Sequence, residues 1–230
     1  MIFSWRKIVI LFALVLSSAC ATPIKYAPPG SRDPDALIET KLKQGEAAST
    51  CHGKDNPNGG REGLWECFYE NGTKQWEMHY KNGKRDGTFN FWRLDGNPVF
   101  TSEWKDGYLD GEMIHFFDKN HRKLESHFRA GHMEGLEREW DPTGVQRTAS
   151  EFKDGVLNGT VREWYDDGQL QSEGHYEKDV LDGEYREWWQ NGQLKQQGRF
   201  SKGKKIGQWK YFNPQGQASN EIENGIRSIK

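Results

Sequence analysis

Three stretches of the chain repeat one trio of residue types: Arg138-Glu139-Trp140, Arg162-Glu163-Trp164 and Arg186-Glu187-Trp188. In an extended strand successive side chains point to opposite faces. Glu139, Glu163 and Glu187 therefore fall on one face, and Arg138, Arg162 and Arg186 on the other, beside Trp140, Trp164 and Trp188. Such rows can pair charges across strands. They can also form a docking surface, because arginine and aromatic rings are favoured anchors of interfaces. Rings with hydrogen-bonding neighbours would equally suit a glycan. Paired carboxylates raise the question of glycosidase chemistry, which needs two groups roughly 5–10 Å apart across a substrate pocket. A regular sheet offers no cleft to raise one pKa, and it would repeat the same pair without distinction. No enzymatic activity is expected.

The seven histidines are His52, His79, His115, His121, His127, His132 and His175. His115 and His127 fall in the two strands of one hairpin, which could bring them near each other. No HExxH or CxxC motif accompanies them, so no metal site is expected. No glycine-rich phosphate loop is present, and no cofactor is expected. The net charge of -2 leaves no basic field for a nucleic-acid backbone, so no nucleic-acid partner is expected.

The elements that must hold these residues are set by a strict period. Glycine recurs every 24 residues at Gly63, Gly87, Gly111, Gly135, Gly159, Gly183 and Gly207. Five residues after each stands an aromatic: Phe68, Trp92, Phe116, Trp140, Trp164, Trp188 and Phe212. A second ring follows seventeen residues after the glycine, from Tyr80 to Phe200. A fixed interval of this length marks a repeat architecture.

Each unit reads as a β-hairpin. Asn71-Gly72, Asp95-Gly96, Asp167-Gly168 and Asn191-Gly192 predict tight turns with positive φ at both central positions. A short first strand near Trp65–Tyr69 and a longer second near Thr73–Tyr80 follow. A wider turn through Asn82-Gly83 would then lead to Gly87 as a structural turn glycine. One hairpin alone is marginal in water, so the units must share edges. The expected fold is all-β: an elongated, single-layer, twisted antiparallel sheet of tandem 24-residue hairpins. The rings at the fifth position are expected to ladder into its core.

The form aromatic, two residues, glycine, three residues, glycine appears at Trp104–Gly111 and Phe152–Gly159, and again at Tyr80–Gly87, Phe128–Gly135 and Phe200–Gly207. At Tyr176–Gly183 it departs, with Asp179 in place of the first glycine, which predicts a left-handed turn there. This pattern resembles the MORN-repeat family, specifically its bacterial, antitoxin-like variant repeats. The resemblance implies a scaffold or binding surface, and it carries over no catalytic residue.

The first twenty residues read as a signal peptide. Arg6 and Lys7 precede a short apolar stretch, Ile8 to Leu16, followed by Ser17-Ser18-Ala19-Cys20. This end resembles a bacterial lipobox with Ser17 where leucine is usual, and it implies lipidation of Cys20. Cleavage after Ala19 or Ala21, or an uncleaved anchor, are the alternatives. Ala21 after the cysteine implies an outer-membrane address facing the periplasm. Cys51 and Cys67 then remain as a candidate disulfide of an oxidising compartment, set against two free thiols. Residues 21–62 are expected to form a tether and cap, with a short helix over 35–44. Hairpin repeats are expected over 63–219 and a tail over 220–230. The reading as a whole is a non-enzymatic scaffold or protein-binding protein of the bacterial envelope, touching the membrane only through its N-terminal lipid. A peptidoglycan or carbohydrate binder and an antitoxin or immunity protein are its rivals.

Overall fold

A computed structural model describes residues 50–219. The signal segment, Cys20, the tether with its expected helix, and the tail lie outside the described residues. Sixteen strands form one antiparallel sheet. They are β1 (Thr50–Asp55), β2 (Arg61–Phe68), β3 (Lys74–Lys81), β4 (Lys84–Trp92), β5 (Pro98–Lys105), β6 (Tyr108–Phe116), β7 (Arg122–Arg129) and β8 (His132–Met133). Then come β9 (Gly135–Trp140), β10 (Gln146–Lys153), β11 (Val156–Trp164), β12 (Leu170–Glu177), β13 (Val180–Trp188), β14 (Leu194–Ser201), β15 (Lys204–Phe212) and β16 (Ala218–Ser219). Each strand pairs with its neighbour in chain order, and β8 and β9 together do the work of one strand beside β7. The sheet is open and does not close on itself.

The tight turns are at the other end of the unit from the one the sequence suggests. Lys81 pairs directly with Lys84, so Asn82-Gly83 is a two-residue turn with φ of 51° and 77°. The same turn recurs at Asp106-Gly107, Ala130-Gly131, Asp154-Gly155, Lys178-Asp179 and Lys202-Gly203, with positive φ at both positions. That is the hairpin geometry whose twist matches its flanking strands. Asp179 has φ 66°, as its place in the pattern predicts. At Asn71-Gly72 only the glycine has positive φ. There Asn71 turns its side chain back to accept the Thr73 N–H at 2.9 Å, closing a longer loop. The asparagine works through its side chain rather than through a left-handed backbone.

The periodic glycines are not turn residues. Gly87 lies inside β4, where Met78 pairs with Phe89 but Tyr80 pairs with Arg85. Such a register shift is a β-bulge. It requires φ of 122° at Gly87, and Gly159 and Gly183 adopt 135° and 134° at the same place. A Cβ at Gly159 would also collide with the Glu151 side chain.

Among the described residues Ala130 is the one alanine held in a left-handed turn, at φ 47°. A Cβ in that region crowds the following carbonyl. Ala130→Gly is expected to raise stability by about 0.5–1 kcal/mol, read from the urea midpoint. A lower midpoint would contradict the strain.

Units are stitched along both rims. On one, the acidic residue before a bulge glycine accepts a backbone N–H from the following turn. Glu62 holds Asn82 at 2.8 Å, Asp110 holds Ala130 at 3.0 Å and Asp182 holds Lys202 at 3.1 Å. Asn158 breaks the series, and there Asp179 instead accepts the Leu157 N–H at 2.9 Å. On the other rim the Tyr69 hydroxyl donates to the Trp92 carbonyl at 2.8 Å, and Tyr165 to that of Trp188 at 2.8 Å.

One face of the sheet carries the core, and we term it the ring face. Cys67, Trp76, Met78, Phe89, Phe91, Phe100, Trp104, Leu109, Met113, Phe128, Met133 and Phe152 form one cluster there. Beyond Phe152 no hydrophobic side chain among the described residues is fully buried. The opposite, charged face is covered mainly by ion pairs.

Candidate functional site

The rings at the fifth position do not build the core. Phe68, Trp92, Phe116, Trp140, Trp164, Trp188 and Phe212 are all only partly buried. The buried rings stand one and three residues earlier, as at Phe89 and Phe91. Alternation explains this: the second and fourth positions of the unit share one face, and the fifth falls on the other. The fourth residue faces the ring side and the fifth lies on the charged side. Lys74 shows the placement. It pairs with Glu77 at 2.7 Å on the charged face and holds its ammonium 5.8 Å above the Trp92 ring.

The three trios of Arg, Glu and Trp therefore divide between the faces. Glu163 accepts from the Ser172 hydroxyl at 2.9 Å on the ring face. Glu187 pairs there with Lys195 at 2.6 Å and accepts from the Gln196 amide. Glu139 stands exposed in the same row. Tyr185 sits among these carboxylates. Burial first, and then the charges of Glu187 and Glu163, push its phenol well above the ordinary range. Tyr176 is raised in the same way, by burial and then Glu163. A phenol held protonated is a poor nucleophile.

On the charged face Arg138 donates to Glu125 at 3.0 Å, and Arg122 meets the same carboxylate. Arg162 donates to Glu173 at 2.7 Å, with Arg186 at 3.6 Å from the other oxygen. Glu125 and Glu173 are the residues that reading the trios alone overlooks. The signal was there: Glu77, Glu125 and Glu173 stand at one position of alternate units, each 48 residues from the next. At Glu77, burial pushes the carboxyl up, but hydrogen bonds from Lys74 and Asn90 outweigh it and hold the group below its usual range.

His115 and His127 do not meet. His115 pairs with Leu124 and stacks on Phe100 at 5.4 Å between centroids, on the ring face. His127 is on the charged face, 3.5 Å from Glu112. Glu112, Glu125 and His127 bring donor atoms within 4.8 Å of one another. Glu125 is already compensated by two guanidinium groups, so a cation there would meet two positive charges.

Cys51 and Cys67 pair across β1 and β2 as a disulfide, with Cα atoms 4.0 Å apart. Cys67 is fully buried, while every residue of β1 is exposed. The bridge fastens the edge strand to the core.

At the C-terminal end of the charged face, Glu184, Arg186, Gln197, Arg199, Ile206 and Lys210 border an open groove of ≈ 370 Å³. Its strands β13, β14 and β15 are adjacent, and Gln197 pairs with Arg186 on one side and Lys210 on the other.

No curated protein matches the chain. Among solved structures, the crystal structure of TarM aligns with 64% of this chain and 24% of its own, at 7% identity and a TM-score of 0.23. This chain thus spans about a quarter of the length of that one. The family model described as MORN repeat variant matches at three places: residues 61–82, 157–178 and 181–202. Each match coincides with one pair of adjacent strands, β2–β3, β11–β12 and β13–β14, so at these three places the repeating unit is similar to the MORN repeat variant.

Proposed function

We propose that this chain is a non-enzymatic, protein-binding scaffold of the bacterial cell envelope. MORN repeats are in general protein- or membrane-binding modules, and three units here match their variant form. The observation that carries the reading is the open sheet itself. Over residues 135–206 it presents two chemically different faces, with a row of glutamates on one and arginines with half-buried tryptophans on the other. Repeats that stack in one dimension bind through such extended surfaces. The envelope address is supported by the lipobox-like end at Cys20 and by the Cys51–Cys67 bridge, a bond of oxidising compartments.

Gln196 and Gln197 are neighbours on β14 and face opposite sides of the sheet. Photo-crosslinking groups placed at each in turn, in living cells, test the reading. One partner protein captured at stoichiometric yield from either position, and lost with the other, supports it. Capture from positions in the tail 220–230 alone, or from neither, would overturn it.

A further inference from the structure

On the charged face a glutamate stands at one strand position of alternate units, Glu77, Glu125 and Glu173, and the units between them carry Thr101, Ala149 and Gln197 there. Glu77 shares Lys74 with Glu66, whereas Glu125 meets Arg122 and Arg138, and Glu173 meets Arg162 and Arg186. Gln197 occupies the corresponding place in β14, flanked by Arg186 on β13 and Lys210 on β15. It has the shape of glutamate without the charge. Arg199, two residues along the same strand, faces Glu184 across β13 and Ile206 across β15.

The cations there are poorly compensated. Arg199 reaches Glu184 only at 3.7 Å, with both side chains more than half exposed. Arg186 lies 3.6 Å from Glu173, whose other oxygen already accepts from Arg162 at 2.7 Å. No ion pair joins Lys210 to a carboxylate among the described residues. Directly opposed side chains on neighbouring strands stand about 5 Å apart. Arg186 and Lys210 therefore sit about 10 Å from each other with the Gln197 amide between them, and Arg199 completes a triangle. The groove of ≈ 370 Å³ opens over this triangle.

We propose that this groove takes a carboxylate side chain from an acidic segment of a partner polypeptide, seated between cations as Glu173 is between Arg162 and Arg186. The inference rests on the protein-binding reading and names the chemistry of one contact. The occupant is a carboxylate because the neighbouring strand β12 shows the same cradle filled by one: Glu173 stands between Arg162 and Arg186 and binds both, and Glu125 likewise meets two guanidinium groups. Arginine grips it through two parallel N–H bonds, Lys210 adds a point charge, and the Gln197 amide supplies a neutral donor.

The test is a titration of the purified chain with hexaglutamate at low salt, followed by amide and side-chain NMR shifts. Shifts are expected to cluster at Arg186, Gln197, Arg199 and Lys210 and to fade as salt rises. Gln197→Glu supplies the missing carboxylate from within and is expected to weaken hexaglutamate at least tenfold while keeping the spectrum of the folded sheet. Lys210→Gln is expected to weaken it about tenfold, the value of one charge-assisted hydrogen bond. Arg138→Gln, in an already compensated cradle, should leave it unchanged. Equal binding by Gln197→Glu overturns the proposal. So does tighter binding of inorganic phosphate or of phosphatidylglycerol vesicles than of hexaglutamate at the same four residues. Failure here leaves the in-cell capture of a partner untouched, so the two ideas fall separately.

Discussion

Phe91→Ala is expected to destabilise the N-terminal half of the sheet by about 3–5 kcal/mol, the cost of emptying a large buried aromatic site. Phe91 is 1% exposed and lies between Trp76 and Phe100 on the ring face, its centroid 5.8 Å from that of Phe100. A single-layer sheet has no second layer to close over the cavity, so its neighbours must fill the space by tilting. Trp164→Ala removes a larger ring but should cost only about 1–2 kcal/mol, because that ring is half-buried and its loss uncovers little apolar surface. Urea unfolding monitored by hydrogen exchange separates the two. Equal losses for both variants would contradict the assignment of the core to the ring face.

Reducing the Cys51–Cys67 bridge is the second large effect. The bridge spans 16 residues, and closing a loop of that size is worth about 3 kcal/mol by chain entropy. Besides the bridge, β1 is held by its pairing with β2 and by Trp65, which lies against Gly53 and donates to the Lys54 carbonyl at 3.1 Å, and its residues are all exposed. Loss of the bridge should therefore release the edge strand locally rather than melt the sheet. Stability in such a stack is a sum of units and interfaces. Amide protection of Thr50–Asp55 is expected to collapse on reduction, while that of β5 to β14 stays within experimental scatter. The freed edge of β2 would then offer unpaired backbone groups, a template for association with other strands. Unchanged protection of Thr50–Asp55 in the reduced protein would show that β2 pairing alone holds the edge.

Much of this was legible from spacing. The interval from Gly63 to Gly207 marked the unit, and strand alternation separated Glu163 from Arg162 and Trp164. Three physical features hid the rest. Asn71-Gly72 is the stronger hairpin signal as a dipeptide, yet the asparagine serves as a side-chain acceptor, and the tight turn falls at Asn82-Gly83. Alternation separates the two faces without saying which is dry, and the buried rings Phe89 and Phe91 stand on the face away from the periodic Trp92. The carboxylates before bulge glycines, such as Asp110, carry no local signal of their role. Their partners lie 20 residues away, and only the pairing of successive hairpins brings them together. Gln197 was silent for a related reason: it gains meaning only against the glutamates in the same place on other strands.

The central claim is that units add edge to edge into an open plate. Lys81, Lys105, Lys153 and Glu177 are exposed and occupy the same place in their units. Spin labels on cysteines at these positions, with Cys20 replaced by serine, report the advance by pulsed electron resonance. Two strands per unit at about 4.8 Å each predict roughly 19 Å from residue 105 to 153, 29 Å from 105 to 177 and 38 Å from 81 to 177. A steady rise of that kind is the expected result. A longest distance that falls back below the middle one would mean that the sheet curls and closes, and the open binding plate described above would not exist.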